Sequence, residues 1–130
     1  MRIAFEKVSD FQPGTLATLL KDAYSFDSRY EQCWGLDWVA FDHFFYNNPL
    51  IADRYGIITT FEDQPIGFVS WDPRLMPAYA VIGHNCIATA YKGKGYGKMQ
   101  LQEAVNRILQ HHVHNIIVTT NGQLVAAQRM

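Results

Sequence analysis

Residues 82–109 constrain this chain more than any other stretch. They read I-G-H-N-C-I-A-T-A-Y-K-G-K-G-Y-G-K-M-Q-L-Q-E-A-V-N-R-I-L. An apolar strand leads into a loop with glycines at Gly93, Gly95 and Gly97, and the loop opens into an amphipathic helix. Leu101, Ala104, Val105, Ile108 and Leu109 follow the spacing of a helix with one buried face. No Pro or Gly interrupts the pattern after Gly97. The loop from Gly93 to Lys98 therefore lies at a helix N-terminus, where the first N–H groups have no intrahelical partner and the helix dipole adds partial positive charge. Glycines let an anion approach the backbone without meeting a Cβ. Together these features make a phosphate cradle.

Two familiar phosphate loops do not fit. A Walker A loop has four residues between its glycines and a Ser or Thr after its Lys. Here three residues separate Gly93 from Gly97, and Met99 stands in the hydroxyl position. A dinucleotide fingerprint requires G-x-G-x-x-G near a first strand, which Gly93-Lys94-Gly95-Tyr96-Gly97 does not match. The pattern Lys92-Gly93-Lys94-Gly95-Tyr96-Gly97, between a strand and a long helix, resembles the [QR]-x-x-G-x-[GA] motif of the GNAT superfamily of N-acetyltransferases. Lys92 replaces the usual Arg or Gln.

The rest of the chain fits one domain over residues 1–130. Apolar residues make up 48% of it, enough for a core, and the net charge of −1 gives no bulk attraction to nucleic acid or an acidic membrane. No apolar run reaches membrane-spanning length. The N-terminus lacks a basic segment followed by an apolar one. The two cysteines, Cys33 and Cys86, are too few for a disulfide framework, and a cytoplasmic location is expected. Cys86, in an apolar strand, reads as a buried thiol.

In chain order, residues 2–8 read as a strand and 15–24 as a helix carrying Leu16, Leu19, Leu20 and Ala23 at helical spacing. Residues 25–35 read as a loop. Asp37 is a candidate N-cap for a helix over 38–46, which Asn47-Asn48-Pro49 stops. Residues 55–61 and 66–71 form a hairpin. Residues 78–88 and 115–120 are further strands, and a helix begins at Leu124. The predicted class is α+β with a mixed sheet, in the order β-α-α-β-β-β-α-β-α.

That order is also the order of elements in the GNAT fold, so the resemblance covers most of the chain. It takes in the hairpin end Gly67-Phe68-Val69-Ser70-Trp71-Asp72-Pro73, and the strand Ile116-Ile117-Val118 followed by Asn121 and Ala126-Ala127-Gln128-Arg129-Met130. Such enzymes usually continue into a Tyr that serves as general acid and two closing strands, and here the chain is C-terminally incomplete by comparison. An uncovered edge is then expected along residues 116–120, inviting a homodimer, and turnover weaker than that of a complete enzyme.

The resemblance implies transfer of an acetyl group from acetyl-CoA to a small-molecule or protein amine. It places the pantetheine contacts on the backbone of Asn85, Cys86 and Ile87. It places the pyrophosphate on amides from Gly93 through Gly95, Tyr96 and Gly97 to Lys98, with charge from Lys92, Lys94 and Lys98, and a further contact at Asn121. Many relatives use a Glu base on the strand before the loop, and the matching position falls near Val81, which cannot act. His84 and Asn85 are the polar residues nearest the expected centre. A histidine has a suitable intrinsic pKa for a base, and Asn85 can hold a water or substrate group. Asp72 reads as a turn cap for Pro73-Arg74. The His111, His112 and His114 group reads as a helix end rather than a metal site. Trp34, Trp38, Phe41, Phe44, Phe45 and Tyr46 read mainly as core, with an acceptor wall as the alternative, and Asp42 and Glu31 as solvated charges. A CoA-binding module with little turnover and an oligomerising interaction protein remain the competing functions.

Overall fold

The computed structural model describes residues 2–120 and 123–126. Its strands are β1 (Ile3–Glu6), β2 (Gly56–Phe61), β3 (Gln64–Asp72), β4 (Tyr79–Ile87), β5 (Asn115–Thr120) and β6 (Gln123–Ala126). Its helices are α1 (Thr15–Ala23), α2 (Ser28–Asn47), α3 (Pro49–Tyr55) and α4 (Tyr96–Leu109). All strands join one sheet in sequential order, antiparallel except where β5 runs parallel to β4. A parallel neighbour requires a crossover, and α4 supplies it. The mixed α+β class expected from the sequence is found.

The sheet has two covered faces. On one, α1, α2 and α3 enclose Leu16, Leu20, Trp38, Phe45, Ala52, Ile58, Phe68 and Cys86. On the other, α4 lays Ala104, Val105 and Ile108 over Ile57, Val69, Trp71 and Ile82. The periodicity read from α1 and α4 is the periodicity of these contacts, except that Leu109, expected on the buried face, lies exposed at the end of α4. The β2–β3 hairpin turns at Glu62 and Asp63, both at positive φ (50° and 69°), as a two-residue turn with matching twist demands.

Three segments differ from expectation. Residues 28–35, read as loop, form the first two turns of α2, and its N-cap is Asp27, whose side chain accepts from the Arg29 N–H at 3.0 Å. Most of those residues are exposed, so no buried face writes a hydrophobic period there. Asn48-Pro49 does not end helical structure. Pro49 stands at the first turn of α3, where its missing N–H costs nothing. The stretch beginning at Leu124, read as a helix, lies in β6, which pairs with β5 from Thr120↔Gln123 to Ile117↔Ala126. The β5 edge is therefore covered within the chain, and the reason for expecting a homodimer through it is gone.

Asp42, read as a solvated charge, is 2% exposed. Its carboxylate accepts from the amides of Gly14 and Ala17 at 2.9 and 3.0 Å. Gly14 itself caps α1 at φ 99° with no side chain to offer. Asp42 thus supplies the N-terminal cap of α1 from a different helix.

Candidate active site

The site grows from β4. Its ladder with β3 pairs Ser70 with His84 and Trp71 with Ile82, so Gly83 falls as an extra residue between two successive pairs. Such a bulge reverses the side-chain alternation. Ile82 packs under α4, whereas His84 turns to the α2 face. Asn85 then points back towards α4, and Cys86 returns to the α1–α2 core.

Beyond the bulge, β4 and β5 separate. Their parallel ladder runs from Tyr79↔Asn115 to Ile82↔Val118, while β4 continues to Ile87. On the β3 side, the Ala88 N–H donates to the Ile66 carbonyl at 2.7 Å. The two-residue period of that ladder turns the amides of Asn85 and Ile87 away from β3, towards the gap.

The gap leads to the start of α4. Ile87 clusters with Ile66 and Tyr96. A Cβ on Gly97 would meet Ile87 Cγ1 at 3.4 Å. Gly93 and Gly95 lie at φ 76° and 88°, with nothing within 4 Å of where a Cβ would stand. They are glycine because of backbone conformation, and the space beside them is open. Gly95 is the N-cap of α4, and no side chain caps the helix. The Met99 N–H makes an intrahelical bond to Gly95 O at 3.2 Å, so the amides of Gly97 and Lys98 have no acceptor within the helix. Lys94 and Lys98 are exposed around this end. Lys92 is turned aside: its ammonium donates to the Ala23 carbonyl and lies 4.8 Å over the Phe26 ring. Asn121 lies outside the described residues.

One buried side chain that the sequence reading did not single out holds the edge in place. Gln100, in α4, is fully buried. Its Nε2 donates to Phe68 O at 3.0 Å, Asn85 Oδ1 at 2.9 Å and Cys86 O at 3.1 Å. Its Oε1 accepts from Thr59 Oγ1 at 2.7 Å. A polar residue among the apolar positions of the helix was its only signal.

His84 and Asn85, taken together as catalytic candidates, face opposite sides of the sheet. The His84 ring lies 4.5 Å from Phe41 and 6.1 Å from Phe68. Burial holds its pKa below the ordinary histidine value, because the charged form loses its water. Cys86 is a free, buried thiol pushed up to about 12 by the same effect, so it stays protonated and inert.

His84 and Gly83 border a cavity of about 610 Å³ enclosed by α2, α3 and the ends of β3 and β4. Phe41, Phe44, Phe45, Ile51 and Tyr55 line it together with residues 70–74. At its rim, Asp72 caps the turn, accepting from the Arg74 amide at 2.9 Å and from Arg74 Nη2 at 2.6 Å. Those bonds hold the Asp72 carboxyl below its usual range. Of the six aromatic residues read mainly as core, Trp38 and Phe45 are buried, Phe41 and Tyr46 half-buried, and Trp34 and Phe44 exposed.

Three comparisons bear on this arrangement. The family model described as the acetyltransferase (GNAT) family matches residues 16–130. No curated protein sequence matches the chain. Among solved structures, the PaiA N-acetyltransferase of Thermoplasma acidophilum, in complex with coenzyme A, superposes with a TM-score of 0.77 at 15% identity, covering 95% of this chain and 82% of that one. A GNAT family acetyltransferase from Brucella melitensis, in complex with acetyl-CoA, gives 0.69 at 12% identity, covering 98% and 90%. The diaminobutyrate acetyltransferase EctA of Paenibacillus lautus, bound to its diamino acid substrate and coenzyme A, gives 0.61 at 20% identity, covering 92% and 66%.

Proposed function

Since the chain belongs to the GNAT acetyltransferase family, we propose that it transfers the acetyl group of acetyl-CoA to a primary amine by direct attack on the thioester. The observation that carries the proposal is the opening between β4 and β5, which runs from the Gly83 bulge to the uncapped start of α4. The pantetheine arm pairs with the gap-facing backbone of Asn85 and Ile87. The pyrophosphate rests on the amides of the Gly93–Lys98 loop, with Lys94 and Lys98 beside it. Asn85 contributes through its backbone, because its carboxamide is engaged by Gln100.

The amine nitrogen attacks the thioester carbonyl carbon, a C–N bond forms, and the C–S bond breaks. A β4 amide near Ile87 that the pantetheine arm does not engage donates to the developing oxyanion. A free alkyl ammonium has a pKa of ~10.4 and must lose a proton before attack, and the nitrogen becomes far more acidic once the C–N bond forms. His84, neutral and bordering the cavity, accepts the second proton. Coenzyme A leaves as a thiolate and takes its proton from solvent.

The test has two parts. Calorimetry with coenzyme A compares the wild type with Gly95→Glu, which sets bulk and negative charge against the pyrophosphate, and binding is expected to disappear in the variant. A thiol-release assay across an amine panel then reads turnover. Binding without release for any amine would replace the transferase reading with a coenzyme A-binding module. Unchanged affinity in Gly95→Glu would remove the loop from the site.

A further inference from the structure

The cavity beside His84 has a composition that selects among amines. Its volume of about 610 Å³ suits a small molecule. Phe41, Phe44 and Phe45 give it an aromatic wall, with ring centroids 4.4 Å apart for Phe41–Phe45 and 6.0 Å for Phe44–Phe45. Ile51 closes the opposite side from α3. Phe44 and Ile51 remain 49% and 40% exposed, leaving apolar surface in water at the mouth of a concave site.

The charges on the wall cancel. Among the described residues lining the cavity, Asp72 is the only acidic one, and Arg74 the only basic one besides His84. They hold each other: Arg74 Nε lies 3.0 and 2.9 Å from the two Asp72 oxygens, and Nη2 lies 2.6 Å from one. A polyamine needs one anion for each ammonium it brings out of water, and an amino acid needs a cation for its carboxylate. Neither charge is available without breaking this pair; a carboxylate left unpaired against the phenyl rings is disfavoured, and a second ammonium there gains only the small attraction of a cation–π contact. An apolar body loses nothing there, and an aromatic one gains ring contacts with Phe41 and Phe44.

We infer that the cavity takes a small monoamine carried on an aromatic body, an arylalkylamine, with its ring against Phe41 and Phe44 and its amine towards Gly83 and His84. The orientation of the amine rests on the acetyl-transfer reading above. The seat for the ring rests on the cavity alone.

Calorimetry on the coenzyme A-loaded protein separates the two. Phenethylamine, spermidine and lysine are titrated as probes, and in parallel reactions supplied with acetyl-CoA the acetylation of each is followed by mass spectrometry. Phenethylamine is expected to bind at least tenfold more tightly than spermidine or lysine, and to be the acetylated member of the set. Phe44→Ala, at an exposed position that leaves the core intact, is expected to weaken phenethylamine by up to about tenfold by removing one ring contact. Ile51→Lys, also exposed, should weaken it further by placing a cation at the mouth. Coenzyme A affinity should stay unchanged in both variants. Phenethylamine binding without acetylation would support the cavity assignment and refute acetyl transfer to it. Spermidine or lysine binding as tightly as phenethylamine, or being acetylated in its place, would overturn the assignment while leaving acetyl transfer standing. No binding of phenethylamine, or binding indifferent to both variants, would also overturn it.

Discussion

Two residues carry sharp expectations. A Cβ on Gly67 would stand 2.5 Å from Gln100 Oε1 and 2.8 Å from the Cys86 carbonyl. The backbone atom cannot yield cheaply, so Gly67→Ala should destabilise the protein by about 1–3 kcal/mol. It should also raise KM for acetyl-CoA, because Gln100 organises the β4 edge. Denaturant midpoints and steady-state kinetics read both effects. His84→Gln should lower kcat/KM by roughly 10²–10⁴-fold, the usual contribution of a positioned base. The sign of the pH effect follows from the depressed pKa. On top of the fall that both proteins share as the substrate amine takes a proton, wild-type activity should show a further fall only below about pH 6.5, the unperturbed histidine value, as the imidazole takes a proton, and the variant should lack that added limb. A pH profile with the same acidic limb in both proteins would remove His84 from the chemistry.

At the level of elements, legibility tracked burial. The helix α4 and the glycines before it were readable because one buried face and one backbone demand wrote themselves into residue types. The first turns of α2 were not, since their side chains mostly face water and impose no period. β6 was misread because its residues also suit a helix, and its pairing with β5 is a non-local fact. In the site, Gly93, Gly95 and Gly97 could be found by spacing, whereas the facing of His84 could not, because a bulge is a property of two strands in register. Asp42 was misread for a related reason: a carboxylate that caps a helix distant in sequence looks like any surface charge. Asp42→Ala should cost about 0.5–2 kcal/mol, the range of a lost N-cap, and loosen α1 against α2. Thermal unfolding measures the cost, and hydrogen exchange at the Gly14 and Ala17 amides locates it.

For the molecule as a whole, the buried thiol of Cys86 links stability to alkaline pH. Its folded pKa is pushed up to about 12, against ~8.5 for an unfolded cysteine. The raised value means that the unfolded chain gives up this proton first. The thiol's contribution is therefore complete below about pH 8.5 and declines above it, by at most about 1.4 kcal/mol per pH unit for one proton. Denaturant melts between pH 8 and 10 should show that slope in the wild type and lose it in Cys86→Ala, whatever the variant's starting stability. The interval stops at pH 10 because Tyr24 and Tyr46, both also raised by burial, add their own dependence beyond it.

The bulge at Gly83 has a consequence for how this strand can change length. Ahead of it, odd and even positions face one way; behind it, the parity is exchanged. Removing that single glycine would restore plain alternation and leave His84 to Ile87 facing as they do, with the imidazole still towards the aromatic chamber and the carboxamide still beneath α4. Loss of a residue beyond the bulge would instead exchange the faces of those that follow it.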